Sequence, residues 1–180
     1  MKNYLAGIAL VCAILFSTQS ATAQEFPKVD VSPMDLAIAR ADRNAPPMAR
    51  VIYSRPQLKG RELSKLAPNG KVWRTGANEA TELTLYNTMM LGGKKLEAGT
   101  YTLYTIPGEN NWTVIINSET NAWGSYSYKE EKDLVRIEVP KRDSAAATEA
   151  LSMVFRPESN GTTLLIGWDR MYIEVPFKNI

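Results

Sequence analysis

Gly99-Thr100-Tyr101-Thr102-Leu103-Tyr104-Thr105-Ile106 is the stretch that decides the fold. It is rich in β-branched and aromatic residues, and it alternates. Tyr101, Leu103 and Thr105 share one face; Thr102, Tyr104 and Ile106 share the other. Pro107-Gly108-Glu109-Asn110-Asn111 then turns the chain into a second strand, Trp112 to Asn117. The same pattern continues upstream. Ala49 to Ser54 places Val51 and Tyr53 on one face and Arg50 and Ile52 on the other, and Pro56 ends it. Val72 to Arg74 reads as a short strand, and Thr81 to Tyr86 directs Leu83 and Leu85 inward. In Leu91-Gly92-Gly93-Lys94, glycine supplies the positive φ of a two-residue hairpin turn.

Downstream, Leu134 to Val139 and Leu151 to Arg156 follow the same rule, the latter with Leu151, Met153 and Phe155 inward. Ser159-Asn160-Gly161 is a tight turn. Thr162 to Trp168 and Met171 to Phe177 close the chain as a hairpin around Asp169-Arg170. Many short strands without a βαβ pattern imply a mostly β protein: an antiparallel β-sandwich or a jelly-roll-like barrel with one or two short helices.

Helical signals are few. Ser32-Pro33-Met34-Asp35 has the form of a helix start, with Ser32 as cap and Pro33 in the first position. Glu62 to Leu66 is expected to form one turn, and the alanine-rich Ser144 to Ala150 one or two. Tyr126 and Tyr128 alternate within Trp123-Gly124-Ser125-Tyr126-Ser127-Tyr128 and are expected to pack along a strand.

The chain has 180 residues, enough for one domain. Residues 1–23 are expected to be a secretory leader: Lys2, an apolar run from Leu5 to Phe16, and a small-x-small site at Ala21-Thr22-Ala23. The run is shorter than the roughly 20 residues that span a bilayer. The expected product is secreted or periplasmic, starts near Gln24 and makes no stable membrane insertion. Residues 24–48 are expected to cap the single β-sandwich domain formed by residues 49–180.

The chain contains no histidine, and its one cysteine, Cys12, lies in the leader. Ser-His-Asp and Cys-His catalysis are therefore excluded from the secreted product, as are zinc sites built from His and Cys. No cofactor or metal is expected. A net charge of +2 offers no bulk attraction for nucleic acid.

Polar chemistry concentrates between Tyr53 and Thr81. Arg55, Lys59, Arg61 and Arg74 supply cations, Asn78 an amide, Glu79 a carboxylate, and Trp73 a flat apolar face. Guanidinium forks suit carboxylate or phosphate, and an indole face suits a sugar ring. The same residues could instead form a brace, with Arg74 paired to Glu79, Trp73 plugging the core and Gly76-Ala77-Asn78 making a turn.

Tyr53-Ser54-Arg55-Pro56, Lys59-Gly60-Arg61 and Val72-Trp73-Arg74-Thr75-Gly76-Ala77-Asn78-Glu79-Ala80-Thr81 resemble the signature of domain-of-unknown-function family 2911. The likeness extends from Ser32-Pro33-Met34-Asp35 through Ala98 to Leu103 and Trp112 to Ile115 to the Trp168-Asp169 hairpin. The link Glu62 to Gly70 departs from the family by lacking its aromatic-Gly and Pro-Tyr-Gly steps. The resemblance implies a secreted bacterial β-rich protein and supplies no activity.

The residues themselves favour a binding or accessory module for a carbohydrate or small anion. The alternatives are an envelope protein-interaction module, with Trp123, Tyr126 and Tyr128 as contacts, and a hydrolase using Glu79 with Glu62 or Glu82.

Overall fold

Ten strands build two antiparallel sheets in a computed structural model that describes residues 24–180. The expected leader lies outside the described residues. In chain order the strands are β1 (Met34–Arg40), β2 (Pro47–Ser54), β3 (Glu82–Leu85), β4 (Met89–Leu91), β5 (Lys94–Leu96), β6 (Gly99–Ile106), β7 (Asn111–Asn117), β8 (Asp133–Pro140), β9 (Arg142–Glu158) and β10 (Gly161–Asn179). One helical turn, α1 (Leu63–Leu66), and a 3-10 turn at Glu130–Lys132 complete the described elements. The larger sheet runs β1-β2-β3-β6-β7-β8 and the smaller β5-β4-β10-β9. The architecture is a β-sandwich, not a closed barrel.

Alternation along each strand decides what the sandwich buries. Val51, Leu83, Leu103, Val114 and Ile116 leave the large sheet and meet Leu151, Leu164, Ile166, Ile173 and Phe177 from the small one. Each fully buried side chain of this size contributes about 1.5–3 kcal/mol. At the centre, Trp73 stacks on Trp168 with ring centroids 5.7 Å apart and meets Trp112 edge-on at 6.1 Å. The Trp168 indole N–H donates to Glu149 O, so this large ring is buried without an orphaned donor. Tyr53 crosses the layers, and its hydroxyl accepts a hydrogen bond from Met153 N at 2.9 Å.

Two helical expectations are corrected. Met34–Arg40 is a strand pairing with β2 from Met34↔Ser54 to Arg40↔Pro47. Its Met34-x-Leu36-x-Ile38 alternation outweighs the capping signal of Ser32-Pro33, because extension completes a ladder that an isolated helical turn lacks. Ser144 to Ala150 lies inside β9, where Thr148 pairs with Asp169 and Ala150 bridges Gln57. Tertiary pairing overrides alanine's helix propensity there. Val72 to Arg74 is a single bridge, Trp73 with Thr105, in place of a strand.

β10 doubles back on itself. Asn179 N donates to Asn160 O, and a Cβ on Gly161 would lie 2.1 Å from Phe177 O. Both ends of the strand are therefore adjacent, and the reversal sits at Asp169, whose φ is 55°. The expected closing hairpin is present, with β9 paired to both of its arms: Gly161↔Glu158 on one and Tyr172↔Arg142 on the other.

Candidate ligand-binding site

The residues from Arg55 to Glu79 do not converge on one cavity. Arg55 joins the two sheets along one seam. Its Nε donates to Leu151 O at 3.0 Å, one terminal nitrogen meets Asp35 at 3.0 Å, and the other donates to Ser152 Oγ at 2.8 Å. Lys59 adopts φ 49° and uses its backbone N–H on Glu149 Oε1. Arg61 folds back on its own turn and donates to Leu58 O and Gln57 O. Trp73 belongs to the core. Arg55, Lys59 and Trp73 hold the connection after β2 against β9 and the interior, and Arg61 braces a turn within it.

Arg74, Asn78 and Glu79 do come together, with a partner from far along the chain. The connection between β7 and β8 is an Ω-loop whose ends are tied where Ser118 N and Oγ both donate to Lys132 O. The loop lies over the outer face of the large sheet. Thr102 Oγ1 donates to Glu119 O at 2.6 Å, and Tyr128 meets Tyr104 edge-on at 5.2 Å. A carboxylate clamp fixes its return. Tyr128 donates to Asp133 at 2.6 Å, Asn117 donates to the same carboxylate at 2.7 Å, and Arg136 approaches it at 2.8 Å. Burial first, then the hydrogen bond to Asp133, pushes the Tyr128 hydroxyl well above the ordinary phenol range.

The loop crest pairs with the polar block. Glu79 bridges Trp123, Ala80 N donates to Ala122 O, Gly124 N to Asn78 O, and Ser125 Oγ to Val72 O. Directly paired residues project to the same side of a sheet, so Glu79 and Trp123 share a face. Arg74 forms no ion pair with Glu79; its guanidinium approaches Gly124. Arg74 Nε is buried without a hydrogen-bond partner among the described residues. Asn78 is left-handed at φ 57° and donates to Asp30 Oδ1. Thr75, fully buried, is also left-handed at φ 55°, a costly conformation for a β-branched residue. Its hydroxyl pairs with Thr105 Oγ1 and its carbonyl accepts from Thr81 Oγ1.

Above this base Trp123 and Tyr126 stack on each other, centroids 5.6 Å apart and planes 14° from parallel. They are 60% and 80% exposed. The expected strand packing of Tyr126 and Tyr128 is therefore corrected: the segment is a turn, and only Tyr128 faces the sheet. Gly124, with φ 71°, makes that turn and lets the Tyr126 ring lie against the backbone. Beside the crest is a cavity of about 220 Å³ that carries Glu79, Glu82, Asn121 and Thr102. Asn121 is one contributor that alternation could not find, because it lies in the loop; its own left-handed φ of 56° is the kind of turn geometry that asparagine tolerates.

Among the described residues no cluster of metal-ligating side chains occurs, and no helix is long and apolar enough to cross a membrane. No curated protein and no solved structure matches this chain. The sequence model of the family described as "Protein of unknown function (DUF2911)" matches residues 36–177, from β1 to β10, and so spans both sheets, the Ω-loop and the polar block. The chain belongs to the DUF2911 family.

Proposed function

We propose that the protein is a binding module for neutral carbohydrate, with Trp123 and Tyr126 as the stacking platform. The observation that carries this reading is the exposed, nearly parallel ring pair held over a hydrogen-bonded base. Aromatic side chains with this much exposure contribute little to folding, and contiguous apolar surface of this kind marks recognition. Sugar rings present apolar C–H faces to such rings and hydroxyls at their edges. Glu79 shares the face of Trp123, and Asn121 and Glu82 line the adjoining cavity, so acceptors for hydroxyl hydrogens stand beside the platform. Glu82 is paired with Arg50 at 4.0 Å, but Glu79 forms no ion pair among the described residues, and its carboxylate on the face of Trp123 favours the neutral sugar over the small anion.

The test is a panel of neutral glycans screened by thermal shift and followed by calorimetric titration. Trp123→Ala and Tyr126→Ala should each weaken binding about tenfold or more, equivalent to about 1.4 kcal/mol. Both should leave the unloaded melting temperature nearly unchanged, because exposed side chains change stability by about 0.5 kcal/mol or less. A glycan that binds both variants as well as the parent protein sinks the platform reading, as does a panel in which nothing binds.

A further inference from the structure

The arginines of the polar block differ in how they are used. Arg55 and Arg61 commit their guanidinium groups to hydrogen bonds within the fold. Arg74 makes no ion pair among the described residues, and its Nε is buried without any hydrogen-bond partner there. A donor taken out of water and left unpaired is a cost to folding, and native structures retain few of them.

The position of this guanidinium is fixed from beneath. Trp73 before it belongs to the core, Thr75 after it is fully buried, and the Arg74 carbonyl accepts from Thr81 N at 3.0 Å. The side chain itself is only partly buried and reaches the loop crest. A Cβ on Gly124 would lie 2.6 Å from Tyr126 Cε2 and 3.5 Å from a terminal nitrogen of Arg74. The guanidinium and the platform ring thus border the same point of the backbone. On the other side of the crest stands Glu79, bridged to Trp123 and also without an ion pair among the described residues.

The ring pair is therefore flanked by one uncommitted group of donors and one of acceptors. Their opposite charges agree with a neutral ligand that offers both an acceptor and a donor. A guanidinium holds donors only. A sugar hydroxyl can accept from it but carries a proton that needs a partner of its own, whereas an amide carbonyl has two lone pairs and no such proton. A carboxylate would satisfy Arg74 more strongly, but it would share the platform with the Glu79 carboxylate.

We propose that Arg74 is the specificity-determining residue of the platform and that its ligand is an N-acetylated sugar. The sugar ring lies on Trp123 and Tyr126, and its acetamido carbonyl accepts from Arg74. This inference rests on the platform reading and narrows it from neutral carbohydrate to acetamido sugar.

Calorimetric titration of the whole protein with N,N′-diacetylchitobiose, cellobiose and cellobiuronic acid tests the assignment. The first two differ only in bearing an acetamido group or a hydroxyl beside each anomeric carbon. Diacetylchitobiose should bind at least about tenfold more tightly than cellobiose. Arg74→Met keeps an apolar stem and removes the donors, so it should bring the two sugars within about twofold of each other. The same variant should melt no lower than the parent protein, because it deletes a buried unpaired donor. Should it fail to fold, Arg74→Lys, which keeps the charge and loses the planar fork, should still narrow the preference. Equal binding of both neutral sugars, weakened for both by Trp123→Ala, overturns the acetamido assignment and leaves the platform standing. Binding of none of the three sugars overturns both. Tighter binding of cellobiuronic acid that is lost in Arg74→Met overturns the proposal in favour of an acidic sugar. A lower melting temperature with the acetamido preference intact overturns it by making Arg74 a brace.

Discussion

At Gly124 two constraints coincide. Its φ of 71° lies in the left-handed region, and a Cβ there would stand 2.6 Å from Tyr126 Cε2. The backbone term costs a side-chain-bearing residue about 1–2 kcal/mol. The steric term is relieved only if the exposed Tyr126 ring swings away, which dismantles the stack. Gly124→Ala is therefore expected to lower unfolding stability by about 1 kcal/mol in urea titrations and to weaken glycan binding by a larger factor than that loss alone accounts for. Equal glycan affinity in the variant would show that the ring pair is not the contact surface. Thr75 is the buried counterpart of this arrangement. It holds a left-handed backbone while every polar atom of its side chain is paired, so the 74–79 loop is over-determined from beneath.

Among the elements, the connection after β2 contributes most through Arg55. Its three side-chain bonds reach β1 and β9, so one residue ties an edge of the large sheet to an edge of the small one. The guanidinium is about one-third exposed, with 35% of the side chain accessible, and that tempers its value. Arg55→Ala should reduce stability by about 1–3 kcal/mol in denaturant unfolding, whereas Arg61→Ala, whose bonds stay within one turn, should change it by about 0.5 kcal/mol or less. Equal effects would remove Arg55's role as a cross-sheet tie. These two arginines look alike in sequence, and only the fold separates them. Strands such as β2 and β3 were readable because their alternation matches their burial, whereas the centres of β6 and β7 are buried on both faces. β1 and β9 carried competing local signals, a helix cap and an alanine run, whose outcome depends on partners distant in sequence. Trp123 and Tyr126 were visible as aromatics, but their exposure follows from a turn that alternation disguised.

For the whole molecule, pH resistance follows from its tyrosines. Tyr53, Tyr101, Tyr104 and Tyr128 are all pushed above the ordinary value of 10.0, in each case first by burial. A group whose folded value is raised stabilises fully below its unfolded value and loses that contribution as pH rises through the folded one. Stability should therefore hold up to about pH 10 and fall steeply above it. Tyr128→Phe should cost about 1 kcal/mol at neutral pH, since Asp133 keeps Asn117 and Arg136, and should make the alkaline decline shallower. Melting curves from neutral to strongly alkaline pH would check both, and an unchanged slope in the variant would remove Tyr128 from the account. The sandwich, its turns and most inward faces were legible from hydrophobic period and turn chemistry. The meeting of the polar block with the Ω-loop was not, because a bridge such as Glu79 to Trp123 joins segments with no shared periodicity.

The attachment of the Ω-loop has an evolutionary consequence. Its tie at Ser118 and Lys132 and its clamp at Asp133 both lie outside the stack of Trp73, Trp112 and Trp168. The loop is a cassette set on a finished interior. New crest sequences can be exchanged into it without asking the two sheets to repack, and a single scaffold can thereby vary the surface it presents while its folding problem stays the same.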